Sequence, residues 1–221
     1  MIFGTGKGAD MATRYFNATG KYAVAGYAVD RAFYSAPAFR DKPVATTDEM
    51  LKRFPKEENL AFVPLGASRM NAARAEKYAE LKALGYRFAS FIHPSNPIDE
   101  SVEIGENCLI LEHQSINMDV RIGNNVVMWS GCQVGDRSVI EDHVFMAAHV
   151  AFAGDSVAGE RSYFGSNSTV GNGVKVGKRC FIGANALIAD DTQDGAVHVV
   201  QPTPAIGIDS SRFVNLIRHP I

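Results

Sequence analysis

The stretch 101-SVEIGENCLILEHQSINMDVRIGNN-125 decides the fold, because its apolar residues recur every six positions. Stepping by six from Ile98 to Ile188 gives sixteen positions, and all of them are apolar. In a chain that is 46% hydrophobic, chance produces such a run about 4 times in a million. We call these residues the anchors. The residue after an anchor is often glycine, and the fourth residue after it is usually small or β-branched.

A period of six is a multiple of two and not of 3.6, so it predicts strands rather than a helix. An inward aliphatic residue, a glycine that can take unusual backbone angles and then polar residues predict a short strand followed by a tight corner. Stacked corners predict a parallel β-helix, since the alternative, a β-sandwich, does not hold one phase over about ninety residues.

The chain begins with 1-MIFGTGKGADMATRYF-16, an apolar segment followed by glycines and a predicted helix. Gly4, Gly6 and Ala9 fit the G-x-G-x-x-G/A spacing, and Asp30 ends the next apolar run. This pattern is typical of a turn that binds phosphate at a helix N-terminus, with the acid on a ribose. The other predicted elements are a helix near 47–54, a strand at 60–66, a helix at 68–84 and a strand at 86–92. Together they predict a small α/β unit with a parallel sheet, too short for both halves of a dinucleotide-binding fold.

Composition excludes several classes of partner. The net charge of −2 gives no electrostatic reason to expect nucleic acid or an anionic membrane. No segment reaches the run of about 18 apolar residues that a membrane span needs, and the first residues do not resemble a signal peptide. The three cysteines, Cys108, Cys132 and Cys180, match no zinc or disulfide pattern and are expected to fill small interior positions. We therefore expect a reduced, cytoplasmic protein without a metal.

The repeats from 101-SVEIGENCLI-110 to 181-FIGANALIA-189 resemble the hexapeptide-repeat acyltransferases, whose fold is a left-handed triangular parallel β-helix. The resemblance implies that three hexads make one coil, so that Asp136 stacks under Gly154 and His149 under Asn167. With the preceding Rossmann-like α/β unit, the whole chain resembles the sugar acetyltransferases of the sialic acid and bacillosamine pathways. The segments 91-FIHPSNPI-98 and 199-VVQPTPAI-206 are similar to connecting segments of that family. The resemblance predicts a mainly β protein in three parts. These are an α/β nucleotide-sugar-binding domain at 1–93, a β-helix acyltransferase domain at 94–190 and a tail with a short helix at 191–221.

The resemblance also implies a homotrimer with its sites between subunits, acetyl-CoA as co-substrate and a nucleotide-linked sugar as acceptor. By position, it assigns the nucleotide sugar to Thr5, Gly6, Lys7, Asp30 and Gly66. It assigns acetyl-CoA to Phe145, Gly154, Gly165, Ser166, Gly183 and Ala184.

The catalytic histidine of that family falls on Asp136 in the stretch 130-SGCQVGDRS-138, and the residue after it is Arg137. Three explanations remain open for the proton that the acceptor must lose. Asp136 can itself be the base, an amino sugar can attack without a base, or another histidine can take over the role. The histidine candidates are His149, which is favoured, and then His143 and His113.

The function predicted first is acetyl-CoA-dependent N-acetylation of a nucleotide-linked amino sugar for cell-surface glycan synthesis. An amine is favoured because it tolerates loss of a base better than a hydroxyl does. The first alternative is a sugar O-acetyltransferase that uses Asp136 or His149 as base. The second is a catalytically degenerate protein that binds a nucleotide sugar. The sequence leaves open the nucleotide, the sugar and acyl groups other than acetyl.

Overall fold

The computed structural model describes residues 1–216, and its first part is a small α/β unit. Its elements are β1 (Ile2–Phe3), α1 (Lys7–Thr19), β2 (Tyr27–Val29), a 3-10 turn (Arg31–Phe33), β3 (Ala38–Phe39), β4 (Lys42–Thr46), α2 (Met50–Arg53) and α3 (Ala72–Ala83). The parallel sheet has the order β4, β2, β1, and then single bridges at Ala61–Phe62 and Phe88. The predicted parallel α/β unit is therefore present.

Two boundaries in this unit differ from the prediction. Helix α3 begins at Ala72 rather than at residue 68, because Arg69, Met70 and Asn71 all have positive φ and form a turn. The strands predicted at 60–66 and 86–92 are reduced to isolated bridges, except that Phe91–Ile92 pairs with the repeats instead. The β-propensity of a segment does not show how many of its residues will pair with a neighbouring strand.

The glycines that the backbone requires at the β1–α1 turn are not all the ones that the predicted pattern named. Gly4 has a φ of 105°, which favours glycine. A β-carbon on Gly8 would lie 2.2 Å from the carbonyl oxygen of Pro64, whereas one on Gly6 would meet open space. Gly8, which the spacing of Gly4, Gly6 and Ala9 passed over, is thus the glycine that lets α1 pack closely.

The second part is the predicted parallel β-helix, with two-residue strands on three faces. The first face contains Phe91–Ile92, Leu109–Ile110, Val127–Met128, Phe145–Met146, Tyr163–Phe164, Phe181–Ile182 and Val197–His198. The second contains Ser115–Ile116, Gln133–Val134, Ala151–Phe152, Thr169–Val170 and Leu187–Ile188. The third contains Glu103–Ile104, Arg121–Ile122, Val139–Ile140, Val157–Ala158 and Lys175–Val176. All anchors from Ile110 to Ile188 are buried, which confirms the sixfold phase and the fold class.

Strands on each face pair with partners eighteen residues away, as Gln133 does with Ala151, except that Phe181 pairs with Val197. We name each corner after the face whose strands precede it. At every corner from residue 107 to residue 185 the third residue after the anchor has positive φ, and where it is not glycine φ lies between 55° and 65°. The left-handed position is mostly filled by Asn, Asp, His and Arg. Glycine adopts the left-handed conformation most easily, and Asn and Asp are the next most tolerant residues.

The prediction that the glycine after the anchor takes unusual backbone angles is therefore wrong. These glycines are needed for the approach of the next coil. A β-carbon on Gly135 would lie 2.4 Å from the backbone nitrogen of Gly154, and one on Gly165 would lie 2.5 Å from that of Ala184. Any side chain at these positions would push neighbouring coils apart.

The α/β unit packs on the first face of the β-helix through a shared apolar core. Phe16 and Phe62 belong to the same buried cluster as Leu109 and Val127. The tail is exposed from residue 199 through the helix α4 (Ser210–Leu216), except that Ile208 is partly buried. The end of the predicted tail, residues 217–221 with His219, lies outside the described residues. Among residues 1–216, no helix has the length and apolar character needed to cross a membrane.

The first-face strands Phe91–Ile92 and Val197–His198 show that the β-helix sheets extend beyond both ends of the predicted 94–190 segment. The division at 93/94 and 190/191 thus remains a prediction about which parts fold independently.

Arg74 of α3 joins the two parts and is fully buried. Its guanidinium donates to the carbonyl oxygens of Asn125 and Val144 at 3.2 Å and of His143 at 2.8 Å. On the other side it donates to the carbonyl oxygen of Leu65 at 3.3 Å. Burial lowers the pKa of Arg74 to about 9, so the side chain remains a cation at neutral pH. Within the described chain its partners are carbonyl and amide oxygens rather than carboxylates.

Replacing Arg74 by methionine should lower the free energy of unfolding by about 3 kcal/mol or more, because it leaves several buried carbonyl groups without a donor. Urea unfolding at pH 7 and one fixed protein concentration measures the change. Arg14→Met is the control: Arg14 is exposed and forms an i,i+4 ion pair with Asp10, so that change should cost about 0.5 kcal/mol or less. A loss below about 1 kcal/mol for Arg74→Met would contradict the role of this clamp.

Candidate active site

The second corner holds a connected group of three charged side chains around the position assigned to catalysis. The guanidinium of Arg137 lies 2.5 Å from Asp136 Oδ2 and also binds Asp155 of the next coil through both carboxylate oxygens, at 2.7 and 2.8 Å. Hydrogen bonding to Asp155 and the charge of Asp136 raise the pKa of Arg137, and Arg137 lowers the pKa of Asp155. Asp136 thus meets a guanidinium that is itself fixed by a second carboxylate.

Gly154 leaves room for the Asp136 side chain, because the two residues stack one coil apart. A β-carbon on Gly154 would lie 2.7 Å from Asp136 Oδ1. Asp136 is half-buried, and Oδ1 is directed along the corner over Gly154. The predicted stacking of these two residues is therefore confirmed.

The first corner holds His149 and most of the residues assigned to acetyl-CoA. Its second positions are small: Ala148 is partly buried, and Ser166 and Ala184 are exposed. Small exposed residues in successive coils leave room for an extended ligand along the corner, so they fit the pantetheine arm of acetyl-CoA. Gly165 and Gly183, which follow the strands of the first face, are both buried.

His149 is exposed and has a φ of 59°. Its ring lies over Gly131, where a β-carbon would be 2.4 Å from His149 Nδ1. Gly131 is therefore the residue that admits this ring conformation. No hydrogen bond to the ring is found among residues 1–216, so its nitrogens are free to act on a ligand.

Phe145 does not lie at a corner but points outward from the first face. Its ring stacks on Tyr163 at 5.4 Å, and Tyr163 stacks on Phe181 at 5.1 Å. The guanidinium of Arg74 lies 5.8 Å from the Phe145 ring centroid. Phe145 is partly buried against the apolar core that the α/β unit shares with the first face, which suits packing rather than proton transfer.

Within one chain, the assigned residues occupy two different corners. Asp136 and Gly154 lie at the second corner, and His149, Ser166 and Ala184 lie at the first. The second face separates these corners, because its strand Ala151–Phe152 runs from the first corner to the second. Side chains at the two corners do not converge on one bond inside a single β-helix.

The other two histidine candidates have different surroundings. His113 is exposed at the first corner, two coils below His149. His143 lies at the third corner against Tyr78 of α3, with ring centroids 5.7 Å apart. Asn125 Nδ2 lies 2.8 Å from His143 Nδ1. Since an amide nitrogen only donates, Nδ1 must accept and the imidazole is held neutral. His143 is thus a structural residue between the two parts of the chain.

A cleft of about 720 Å³ at the carboxyl edge of the α/β sheet brings together three of the five residues assigned to the nucleotide sugar. Thr5, Gly6 and Asp30 line it. Lys7 and Gly66 are exposed and lie outside that lining. Gly6 precedes the 13-residue helix α1, whose N-terminal N–H groups are suited to an anion.

Lys77 of α3 organises the floor of this cleft. Its Nζ donates to Asp30 Oδ1 at 2.7 Å and to Glu80 Oε2 at 2.5 Å, and it lies 4.5 Å from the Phe3 ring centroid. Burial lowers the pKa of Lys77, but the hydrogen bonds to Asp30 and Glu80 outweigh it and raise that pKa. Arg69 and Glu76 form a second ion pair on the cleft wall, at 2.5 Å.

Sequence reasoning missed three residues of these sites: Lys77, Arg74 and Asp155. The first two lie in a helix whose charged residues look like an ordinary solvated face, and nothing local marks them as buried. Asp155 carries a usable signal, because it stands eighteen residues after Arg137 and the repeat predicts that such residues stack. In residues 1–216 no group of three or more His, Cys, Asp or Glu could hold a metal ion, and the three cysteines are buried.

Comparison with protein families and solved structures supports the resemblance seen in the sequence. Residues 155–190 match the family described as bacterial transferase hexapeptide (six repeats). No curated protein matches the sequence. Structurally, the chain is similar to PerB, a perosamine N-acetyltransferase from Caulobacter crescentus, solved in complex with CoA and GDP-perosamine. The identity is 25% and the TM-score 0.78, and the match covers 89% of this chain and 91% of that one.

Two further structures show the same fold at lower identity. The acetyltransferase domain of PglB from Neisseria gonorrhoeae is 20% identical with a TM-score of 0.77, and the match covers 89% of this chain and 93% of that one. WeeI from Acinetobacter baumannii is 15% identical with a TM-score of 0.69 and the same two coverages. Because both matches cover 89% of this chain, the fold as a whole, and not only the repeats, is shared with these structures.

The ring of His143 predicts a pH dependence of stability. Burial is the main cause that lowers its pKa, opposed by the charges of Asp142 and Glu160 and assisted by those of Arg74 and Arg161. Because the folded pKa is below the value of about 6.5 in an unfolded chain, the unfolded state binds more protons between these two values. Stability should therefore fall as pH drops below about 6.5 and level off below the folded pKa.

The variant His143→Asn should lose this component, since asparagine occupies the same corner position at Asn107 and Asn125. Urea unfolding between pH 7.5 and 5 should give a shallower pH slope for this variant than for the wild type. His113→Asn, at an exposed left-handed position, is the control and should keep the wild-type slope. Equal slopes for the wild type and His143→Asn would contradict the assignment.

Proposed function

We propose that the chain is an acetyl-CoA-dependent N-acetyltransferase that acts on a nucleotide-linked amino sugar. The observation that carries this proposal is the likeness, over 89% of the chain, to a perosamine N-acetyltransferase solved with CoA and GDP-perosamine. A nucleotide sugar and acetyl-CoA need two binding places. We assign these to the cleft at the α/β sheet edge and to the open first corner. The nucleotide sugar enters the cleft by Thr5, Gly6 and Asp30.

The reaction needs the acceptor amine and the acetyl thioester to be held together and the amine to lose a proton. Acetyl-CoA supplies an acetyl group activated as a thioester. At the first corner, Ser166 and Ala184 leave space for its arm. The backbone N–H groups of Gly165 and Gly183 are engaged by carbonyl oxygens of Ile182 and His198. They therefore shape the corner rather than stabilise a developing oxyanion.

Asp136 is best suited to orient the amine. Its Oδ2 is bound by Arg137, which Asp155 fixes in turn, so that oxygen is already engaged and is not free to take the proton of the acceptor. Its Oδ1 can still accept a hydrogen bond from an amine N–H. An amine that is partly neutral can then attack while its proton passes to water, without a strong protein base.

A sugar O-acetyltransferase is the second candidate, and the free ring of His149 is the observation that favours it. A hydroxyl needs a base, and His149 stands at the corner assigned to acetyl-CoA. The Asp136 carboxylate is less suited to this role because Arg137 holds it.

We further propose a homotrimer in which the first corner of one copy faces the second corner of its neighbour. This arrangement brings Asp136 of one copy to the acetyl-CoA corner of the next, which a single chain does not do. A cytoplasmic place in cell-surface glycan synthesis, including lipopolysaccharide, agrees with these proposed substrates, since nucleotide sugars and acetyl-CoA are cytoplasmic metabolites.

The direct test is release of free thiol from acetyl-CoA in the presence of amino-sugar and deoxy-sugar nucleotides. We expect release with at least one nucleotide-linked amino sugar and none with its hydroxyl counterpart. Release with hydroxyl sugars alone would establish the O-acetyltransferase. No release with any acceptor, together with binding of a nucleotide sugar by calorimetry, would establish a binding protein without catalysis.

In the same assay, Asp136→Asn should lower kcat by less than about tenfold, because loss of a general base costs 10²- to 10⁴-fold and loss of an orienting contact less. Asp119→Asn, at an exposed position of the second corner, serves as control and should leave kcat unchanged. A loss above about 100-fold would make Asp136 the base. The same loss in His149→Asn would give that role to His149.

A further inference from the structure

Phe33 is an aromatic residue that the fold leaves without an obvious structural use. It ends the 3-10 turn Arg31–Phe33 that follows β2, and 72% of its surface is exposed. Its ring lines the cleft at the carboxyl edge of the α/β sheet. Tyr34, the next residue, is also exposed but lies outside the lining of this cleft. Phe33 is therefore the exposed aromatic side chain that a ligand in the cleft would meet.

The surroundings of Phe33 match the parts of a nucleotide. Ligands of open parallel sheets bind beyond the carboxyl ends of the strands, and Asp30 stands directly after β2 at that edge. The N-terminus of α1, preceded by Gly6, offers N–H groups to a phosphate. An anion site, a carboxylate for hydroxyls and a flat apolar ring thus border one cleft.

The carboxylate of Asp30 is held in position for a ligand. Lys77 Nζ binds Oδ1 at 2.7 Å and is itself fixed by Glu80 and by the Phe3 ring. With Oδ1 bound from the cleft floor, Oδ2 remains to accept hydrogen bonds from the hydroxyls of a ribose. Lys77 is thus a positioning residue for Asp30.

The charges on the cleft wall argue for a base rather than an aliphatic group next to Phe33. Arg69 and Glu76 form an ion pair there, and Glu80 lies nearby. An aliphatic ligand would remove water from these groups and offer no hydrogen bond in return, which is unfavourable. A nucleobase has a flat face for the ring and polar edges for the charged groups.

We propose that this cleft is a nucleoside site in which Phe33 stacks on the base and Asp30 accepts the ribose hydroxyls. The inference rests on the proposed function, in which the cleft holds the nucleotide end of the sugar substrate. It adds the residue that stacks on the face of the base. Stacking accepts any base face, so Phe33 sets affinity for the nucleoside, and the edge contacts of Arg69 and Glu76 select among bases.

The test is calorimetric titration of the full chain with GDP, UDP, CDP and dTDP, and with ribose 5-diphosphate, which lacks a base. Phe33→Ala should weaken the tightest nucleoside diphosphate by about 5- to 150-fold, the effect of losing one base–aromatic stack. It should change the affinity for ribose 5-diphosphate by less than about twofold. Phe33→Trp should restore nucleotide binding, and the matched control Tyr34→Ala should bind every probe as the wild type does.

Four results would overturn the inference. They are equal weakening of both kinds of probe by Phe33→Ala, unchanged nucleotide binding, a change confined to the oligomeric state in gel filtration, and absence of binding of all four nucleotides to the wild type. The thiol-release assay separates this inference from the proposed function. Acetyl transfer with an unaltered KM in Phe33→Ala refutes the role of Phe33 alone. Nucleotide binding that depends on Phe33, without acetyl transfer, refutes the enzyme and leaves the nucleoside site.

Discussion

The structure depends on the closure of each β-helix coil in eighteen residues. Closure requires a left-handed residue at every corner, with φ between 55° and 65° wherever that residue is not glycine. At some of the points where coils approach it also has a residue without a β-carbon, as at Gly135 and Gly165. Because the register is constant, residues eighteen apart stack about 4.8 Å from one another. Each corner is thus a column of side chains. The chemical properties of a corner residue therefore depend on the residues that stand eighteen positions before and after it.

Two columns show how this constraint produces local order. At the third corner, Asn107 donates to Asn125 at 2.7 Å and Asn125 to His143 at 2.8 Å, all at left-handed positions. At the second corner, Arg137 joins Asp136 to Asp155. The substitution of aspartate for the histidine expected at position 136 is accompanied by an arginine next to it and an acid one coil later. The structure shows a regular corner whose two carboxylates are joined by one guanidinium.

The β-helix could be predicted from the sequence because its contacts are periodic. The anchors, the stacking of Asp136 on Gly154 and the buried cysteines all follow from the period of six. The role of the glycines could not be predicted. A glycine that is needed for close approach of coils looks the same in a sequence as a glycine that is needed for positive φ. The buried Arg74 and the pair of Lys77 with Asp30 also escaped prediction, because both depend on where α3 lies relative to distant segments. Three of the five residues assigned to the nucleotide sugar, Thr5, Gly6 and Asp30, line one cleft, and their role in binding stays a prediction.

The central claim is that the reaction site is formed by the first corner of one copy and the second corner of its neighbour. Mixing two inactive variants tests it most directly, with Asp136→Trp blocking the second corner and Ala184→Trp the first. Refolding an equal mixture into one ring of three should restore about one quarter of the wild-type activity, because one site in four then combines two intact corners. Mixed oligomers, verified by mass, that remain as inactive as either variant alone would contradict the claim.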